Sequence, residues 1–356
     1  MRDEHELQIS VHDRRAVDAF AREFRIDPYR LRRFRHALYQ QSLDPPAALL
    51  EIPLPHRKAF AACMRFHELE LQRRSDSPDS RATKLVFTTR GGNWIETVLI
   101  RGSSGRLTAC LSSQAGCAVG CRFCATGEMG LLANLSASEI IAQLWQANRL
   151  LSENRERIRN VVFMGMGEPL HNSRSVAAAV DELLSTTGFQ ITSRRLTVST
   201  IGIPARMREF ARRFPDVHLA VSLHCVVPGV REMLIPGSTR TSLSELHAAI
   251  DEVVLTSRRA VMIEYVMIDG LTDTAEAARA LVEFLGRLPV FVNLIPFNPV
   301  AGMQPWRTSS REICHEFCQM LRSAGYKARI RNSHGGEIRA ACGQLANRSD
   351  ATPLEA

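Results

Sequence analysis

From Asn134 to about Ala324 the sequence alternates amphipathic stretches with short apolar runs. SASEIIAQLWQANRLL leads to NVVFMG, a helical period from Ser173 to Leu184 to RLTVSTI, and PARMREFARRF to HLAVSLH. A helix from Ser242 to Leu255, VMIEYVMI, TAEAARALVEFLG, FVNLIPF and a last helix from Ser309 to Ala324 follow. Strand then helix, repeated, demands crossovers between parallel strands, and parallel strands need helices on their faces. With RLTACLSSQ counted as a first strand there are about six such units, the content of a barrel or partial barrel. The expected class is therefore α/β. Chemistry in such a fold gathers at the C-terminal ends of the strands.

Those ends are rich in polar groups. One strand ends in Gly165-Met166-Gly167-Glu168-Pro169, where two glycines would let a ligand approach the backbone and Glu168 could accept from an amine. The following strands end at Ser199-Thr200, at Ser222-Leu223-His224 and at Pro296-Phe297-Asn298-Pro299. Each alone reads as an ordinary satisfied strand end; together they read as the walls of a pocket.

The first strand ends in CLSSQAGCAVGCRFCATG, which carries Cys117, Cys121 and Cys124. A loop of this spacing can turn three thiolates to one centre, which reads as an iron-sulfur cluster with one iron left open. Zinc would want a fourth ligand, for which Cys110 or Cys342 would have to serve. Cys314 and Cys318, four apart in a helical run, read as small core residues, and Cys225 as a packing residue.

Residues 1–75 read as a helical, basic accessory domain, with Asp27 and Pro28 as cap and first helical residue. In YRLRRFRHALYQQ, Arg30, Arg32, Arg33 and Arg35 alternate with Tyr29, Phe34 and Tyr39, a face that could track phosphates while the aromatics pack inward. The polar stretch Ser75–Thr83 reads as the boundary, residues 76–105 as linker and β extension, 106–346 as the barrel and 347–356 as a flexible tail. A formal charge of +8, with all but three of 45 basic residues arginine, favours a polyanionic partner such as RNA. The charged N-terminus lacks a signal core, no apolar run approaches membrane-spanning length, and nine cysteines follow no framework. These features lead us to expect a cytoplasmic protein with no membrane partner.

CxxxCxxC, GMGEP, the serine of STIG, SLH, EYVMIDG, NLIPFNP and AACGQL occur here in one order and spacing. In this the sequence, from Lys84 to Ala346, resembles the radical S-adenosylmethionine (SAM) RNA methyltransferases, the RlmN and Cfr enzymes; fainter similarity extends over the N-terminal region. The resemblance implies a partial (β/α)6 barrel with a small N-terminal helical domain. It implies a [4Fe-4S] cluster on Cys117, Cys121 and Cys124, and SAM chelated to the open iron, held by Gly167, Glu168, Ser199, Ser222, Leu223, His224 and Asn298.

It further implies that Cys342 carries the methyl group to the base, that Cys110 resolves the resulting adduct through a transient disulfide with Cys342, and that Glu96 is the general base. The reaction expected is methylation at carbon 2 of an adenosine in 23S rRNA, with tRNA as a further substrate and flavodoxin or ferredoxin as electron donor. Cfr-like methylation at carbon 8, giving antibiotic resistance, is the near alternative, and a zinc-stabilised, non-catalytic RNA-binding protein the distant one. Cys225–Arg240, CVVPGVREMLIPGSTR, departs from the family's pattern and leaves that loop open.

Overall fold

The computed structural model of the protein describes residues 8–300, 302–331 and 333–346; the expected tail and the first seven residues lie outside them. Its centre is a ten-stranded sheet whose strands follow one another in chain order. These are β1 (Leu69–Asp76), β2 (Ala82–Thr89), β3 (Trp94–Arg101), β4 (Leu107–Cys110), β5 (Ile158–Phe163), β6 (Leu196–Thr200), β7 (His218–Ser222), β8 (Val261–Met267), β9 (Val290–Pro296) and β10 (Lys327–Ile330). From β4 to β10 every neighbour is parallel. β1 to β4 pair antiparallel, an extension on one edge.

Each parallel strand up to β9 is followed by a helix before the next strand begins: Ala137–Ser152, Ser173–Leu184, Pro204–Arg213, Leu243–Ser257, Ala275–Leu285 and Arg311–Ser323. The α/β partial barrel expected from the pattern is thus present, closed off by β10. Local chemistry sets the helix starts. Ser136 and Ser242 form capping boxes with Glu139 and Glu245, and Asp27 accepts from the Tyr29 and Arg30 N–H groups ahead of Pro28. Cys314 and Cys318 face the core.

The boundary expected at Ser75–Thr83 is different in the structure. Ser75 and Asp76 finish β1, Ser77 to Arg81 make a tight turn closed by Ser77 N–H to Ala82 O at 2.8 Å, and Thr83 lies in β2. The run LELQRR alternates apolar and polar side chains and so suits a charged edge strand, which the basic composition concealed.

The helices Arg14–Glu23, Pro28–Arg35 and Leu54–Cys63 share one continuous apolar core with the barrel. Tyr39 packs on Phe189 and His12 on Trp145. Arg30, Arg32 and Arg33 are exposed as expected, but Tyr29 is exposed and Arg35 buried. The Arg35 guanidinium lies 3.2 Å from Asp18 and 4.0 Å from the equally buried Glu182, so it is a core ion pair and not a phosphate contact. Arg35→Ala strands the Glu182 charge, and a loss of about 3–5 kcal/mol is expected in denaturant titration.

Candidate active site

Two short strands, Gln114–Gly116 and Leu131–Asn134, pair antiparallel, so the cysteine loop is the connection of a hairpin that continues directly from β4. Cys117 N–H donates to Gly130 O at 2.8 Å, and the short helix Ala125–Glu128 starts immediately after Cys124. The three cysteines face a cavity of about 940 Å³, counting the part open to solvent. Among the described residues no group of three or more His, Cys, Asp or Glu side chains gathers closely enough to hold a single metal ion. The thiols border a larger space instead. Burial pushes Cys117 up to about 12 and raises Cys121 and Cys124 as well. Three thiolates in such surroundings need a cationic centre among them, which is the condition an iron-sulfur cluster meets.

Gly167, Glu168, Ser199, Ser222, His224 and Asn298 line the same cavity. Glu168 is buried and held on both oxygens: Oε1 accepts from Leu170 N–H at 2.9 Å and Oε2 from Ile201 N–H at 2.8 Å. Burial outweighs these bonds and raises its pKa to about 7. Ser199 and Ser222, on adjacent strands, share a hydroxyl contact of 3.2 Å. His224 sits at φ +59°, strained for a residue with a Cβ, with Nδ1 buried and unpartnered. Burial and the Arg231 charge lower its pKa to about 3, so the imidazole is neutral. Phe123 meets its ring edge-on at 4.8 Å.

Leu223 does not line the cavity; its side chain is buried, and its carbonyl accepts from Arg231 at 2.7 Å. The two glycines have a reason beyond ligand approach. A Cβ on Gly165 would come within 2.7 Å of the Leu111 backbone, and one on Gly167, at φ +98°, within 2.5 Å of Gln114 Cβ. They let β5's exit cross the start of the cysteine hairpin.

Cys342 lines this cavity and also a second, smaller one, where it meets Cys110 and Arg331. Its loop is tied to the cavity wall on both sides: Asn298 Nδ2 donates to Cys342 O at 3.0 Å, and Ala125 N–H donates to Gly343 O at 2.7 Å. All nine cysteines are free thiols. Glu96 is the one expected catalytic side chain that lines neither cavity. It is wholly buried on β3, on the face that carries Val98 and Ile100 into the second cavity.

The departing loop has a clear place. It forms a short helix, Val230–Leu234, and a 3-10 turn, Pro236–Arg240, that back the cysteine loop through Arg122 N–H to Leu234 O at 2.9 Å and Gly237 N–H to Val119 O at 3.0 Å. Cys225 is fully buried in the apolar cluster beneath it.

Glu264 and Arg331 escaped the sequence reading. Glu264 lines the first cavity, with Oε2 taking a hydrogen bond from Asn293 at 2.7 Å and Oε1 unpartnered. A lone carboxylate in the otherwise apolar strand VMIEYVM was the available signal, since a parallel strand is covered on both faces. Arg331 had no comparable marker, because it follows β10 in a stretch of alternating basic residues.

The radical SAM superfamily profile matches residues 111–284. A probable RNA methyltransferase of Rhodopirellula baltica is 41% identical over 329 residues, covering 92% of this chain and 85% of its own. A "probable dual-specificity RNA methyltransferase RlmN" of Moorella thermoacetica is 40% identical over 322 residues, 89% of this chain and 91% of its own. The crystal structure of a radical SAM methyltransferase from Sphaerobacter thermophilus superposes with a TM-score of 0.89 at 37% identity, covering 94% of this chain and 98% of that one.

Proposed function

The chain belongs to the RlmN-type RNA methyltransferases of the radical SAM superfamily, and from that premise we propose that it methylates carbon 2 of an adenosine in 23S rRNA through a methyl group carried on Cys342. The observation that carries this reading is one cavity bordered by Cys117, Cys121 and Cys124, by Glu168, Ser199, Ser222, His224 and Asn298, and by Cys342. Relatives named as dual-specificity RNA methyltransferases support a second RNA substrate, and we propose tRNA for it.

When bound, a [4Fe-4S] cluster and SAM supply a methyl group and one-electron chemistry at carbon, with the electron drawn from a flavodoxin or ferredoxin. This chain's residues do the rest. Cys117, Cys121 and Cys124 hold the cluster. Glu168 accepts from the amino group of SAM, while Ser199, Ser222, the neutral His224 and Asn298 orient it. Cys342, open to both cavities, takes the methyl group in the first and meets Cys110 in the second. Glu96 takes the proton from the ring carbon. Cys110 then attacks the Cys342 sulfur, and the disulfide forms as the carbon–sulfur bond breaks. The departing carbon takes up a proton to become the methyl group, and a thiol reductant later supplies the two electrons that restore both thiols.

The ionisation of Glu168 gives this reading a pH signature. Its carboxylate accepts from the amino group that chelates the iron, so protonation of Glu168 should add about a tenfold loss of SAM affinity per pH unit below about 7 in the cluster-loaded protein. Glu168→Gln should bind weakly and without that slope, as read by calorimetric titration across pH. Mass spectrometry of nucleosides from RNA treated with the reconstituted enzyme tests the reaction itself. 2-Methyladenosine is expected; 8-methyladenosine would replace it with Cfr-like chemistry, and neither would leave an RNA-binding protein without this activity.

A further inference from the structure

Resting on the reading of Glu96 as the proton acceptor, we propose that Lys84 is its positioning residue, holding the carboxylate in place and ionised beside the Cys342 segment. Lys84 stands on β2 opposite Val98, and Glu96 lies two residues before Val98 on β3, so the two side chains share one face of the sheet. Lys84 Nζ is 3.4 Å from Glu96 Oε1, with both side chains buried. No hydrogen bond of ordinary geometry reaches either Glu96 oxygen, although the Ala346 N–H comes near enough to help lower the pKa. A carboxyl group in that position, left alone, takes up a proton and ceases to be a base.

The surrounding charges work against that. Burial raises the Glu96 pKa and is only partly offset by the Lys84 ammonium and then the Arg73 guanidinium, so loss of Lys84 would raise it further. Burial lowers the Lys84 pKa in turn; Glu96 opposes that, and Arg73 and Arg339, which also face Lys84, add to it. The ammonium is fixed from a second side, since Nζ donates to the Arg339 carbonyl at 3.3 Å. That carbonyl belongs to the loop in which Cys342 follows three residues later. One cation therefore ties the acceptor of the ring proton to the loop that bears the adduct. A buried pair of this kind seldom repays its desolvation in stability alone.

The test uses the reconstituted holoenzyme as Lys84→Met, Lys84→Arg and Glu96→Gln, each first checked for cluster content and SAM binding. Lys84→Met should still methylate Cys342, seen by peptide mass spectrometry, yet accumulate a covalent RNA adduct on denaturing gels. The acidic limb of its adduct-release profile should move up by about one pH unit or more, and Lys84→Arg should bring most of it back. If Lys84→Met does not fold, Lys84→Gln, still able to donate to the Arg339 carbonyl, is measured in the same way. An unshifted profile in the neutral variant, with release blocked in Glu96→Gln, overturns the proposal while the reading of Glu96 stands. Normal release in Glu96→Gln overturns both.

Discussion

Cys342→Ala is expected to give a folded protein that binds cluster and SAM and transfers no methyl group to RNA. The side chain is only partly buried and lies outside the apolar core, so its loss removes little packing. The main-chain links that fix the loop, from Asn298 to the Cys342 carbonyl and from Ala125 to the Gly343 carbonyl, do not depend on the thiol. What disappears is the one thiol, among the described residues, that borders both cavities. Incorporation of labelled methyl into RNA should drop by at least about 10³-fold, with SAM affinity unchanged. Methylation retained at a measurable fraction of the normal rate would remove Cys342 from the mechanism.

Cys110→Ala should stop the reaction later, with RNA still joined to the protein. Cys110 ends β4 and faces Cys342 across the second cavity. Burial pushes its thiol up to about 12, the neighbouring Cys342 adds to the rise, and Arg331 opposes it. The thiolate that must attack is therefore scarce at neutral pH. In the adduct the Cys342 sulfur is a thioether and no longer adds to that rise, but burial still keeps the Cys110 thiol high. In the normal enzyme, release of the adduct should therefore quicken as pH rises through the alkaline range wherever this attack limits the rate. In Cys110→Ala that dependence should vanish, free product should fall on the order of 10²-fold, and a band of protein bound to labelled RNA should persist on denaturing gels. Free methylated RNA in normal yield would exclude Cys110 as the resolving group.

The alternation after Asn134 was legible because parallel strands are covered on both faces and so write themselves as near-continuous apolar runs such as VMIEYVM. The cysteine loop and the polar strand ends were legible because barrel architecture dictates where they converge. β1 was not, because an edge strand carrying charged side chains resembles a basic helical surface. Arg35 failed for a related reason: its partners Asp18 and Glu182 come from distant parts of the chain, and local pattern cannot announce a buried ion pair. Glu96 was legible only through the family resemblance, and its tie to Lys84 only through the register of β2 and β3. Leu223 came along with its neighbours in the motif, yet its side chain turns into the core.

The N-terminal helices touch the barrel at the starting ends of its strands. Arg157, immediately before β5, and Gly188, in the loop before β6, both bond to Gln40, and Arg14 reaches Ser185. The cavity opens at the finishing ends of those same strands, a strand length of about 20 Å away. An RNA that met the exposed arginines of the Pro28–Arg35 helix while its adenosine entered the cavity would have to straddle the barrel's flank. A flexible single strand could reach across but would not fix the separation, whereas a folded helical RNA would hold the two contacts at a set distance. Selection among adenosines would then be a measurement of distance as much as a reading of bases.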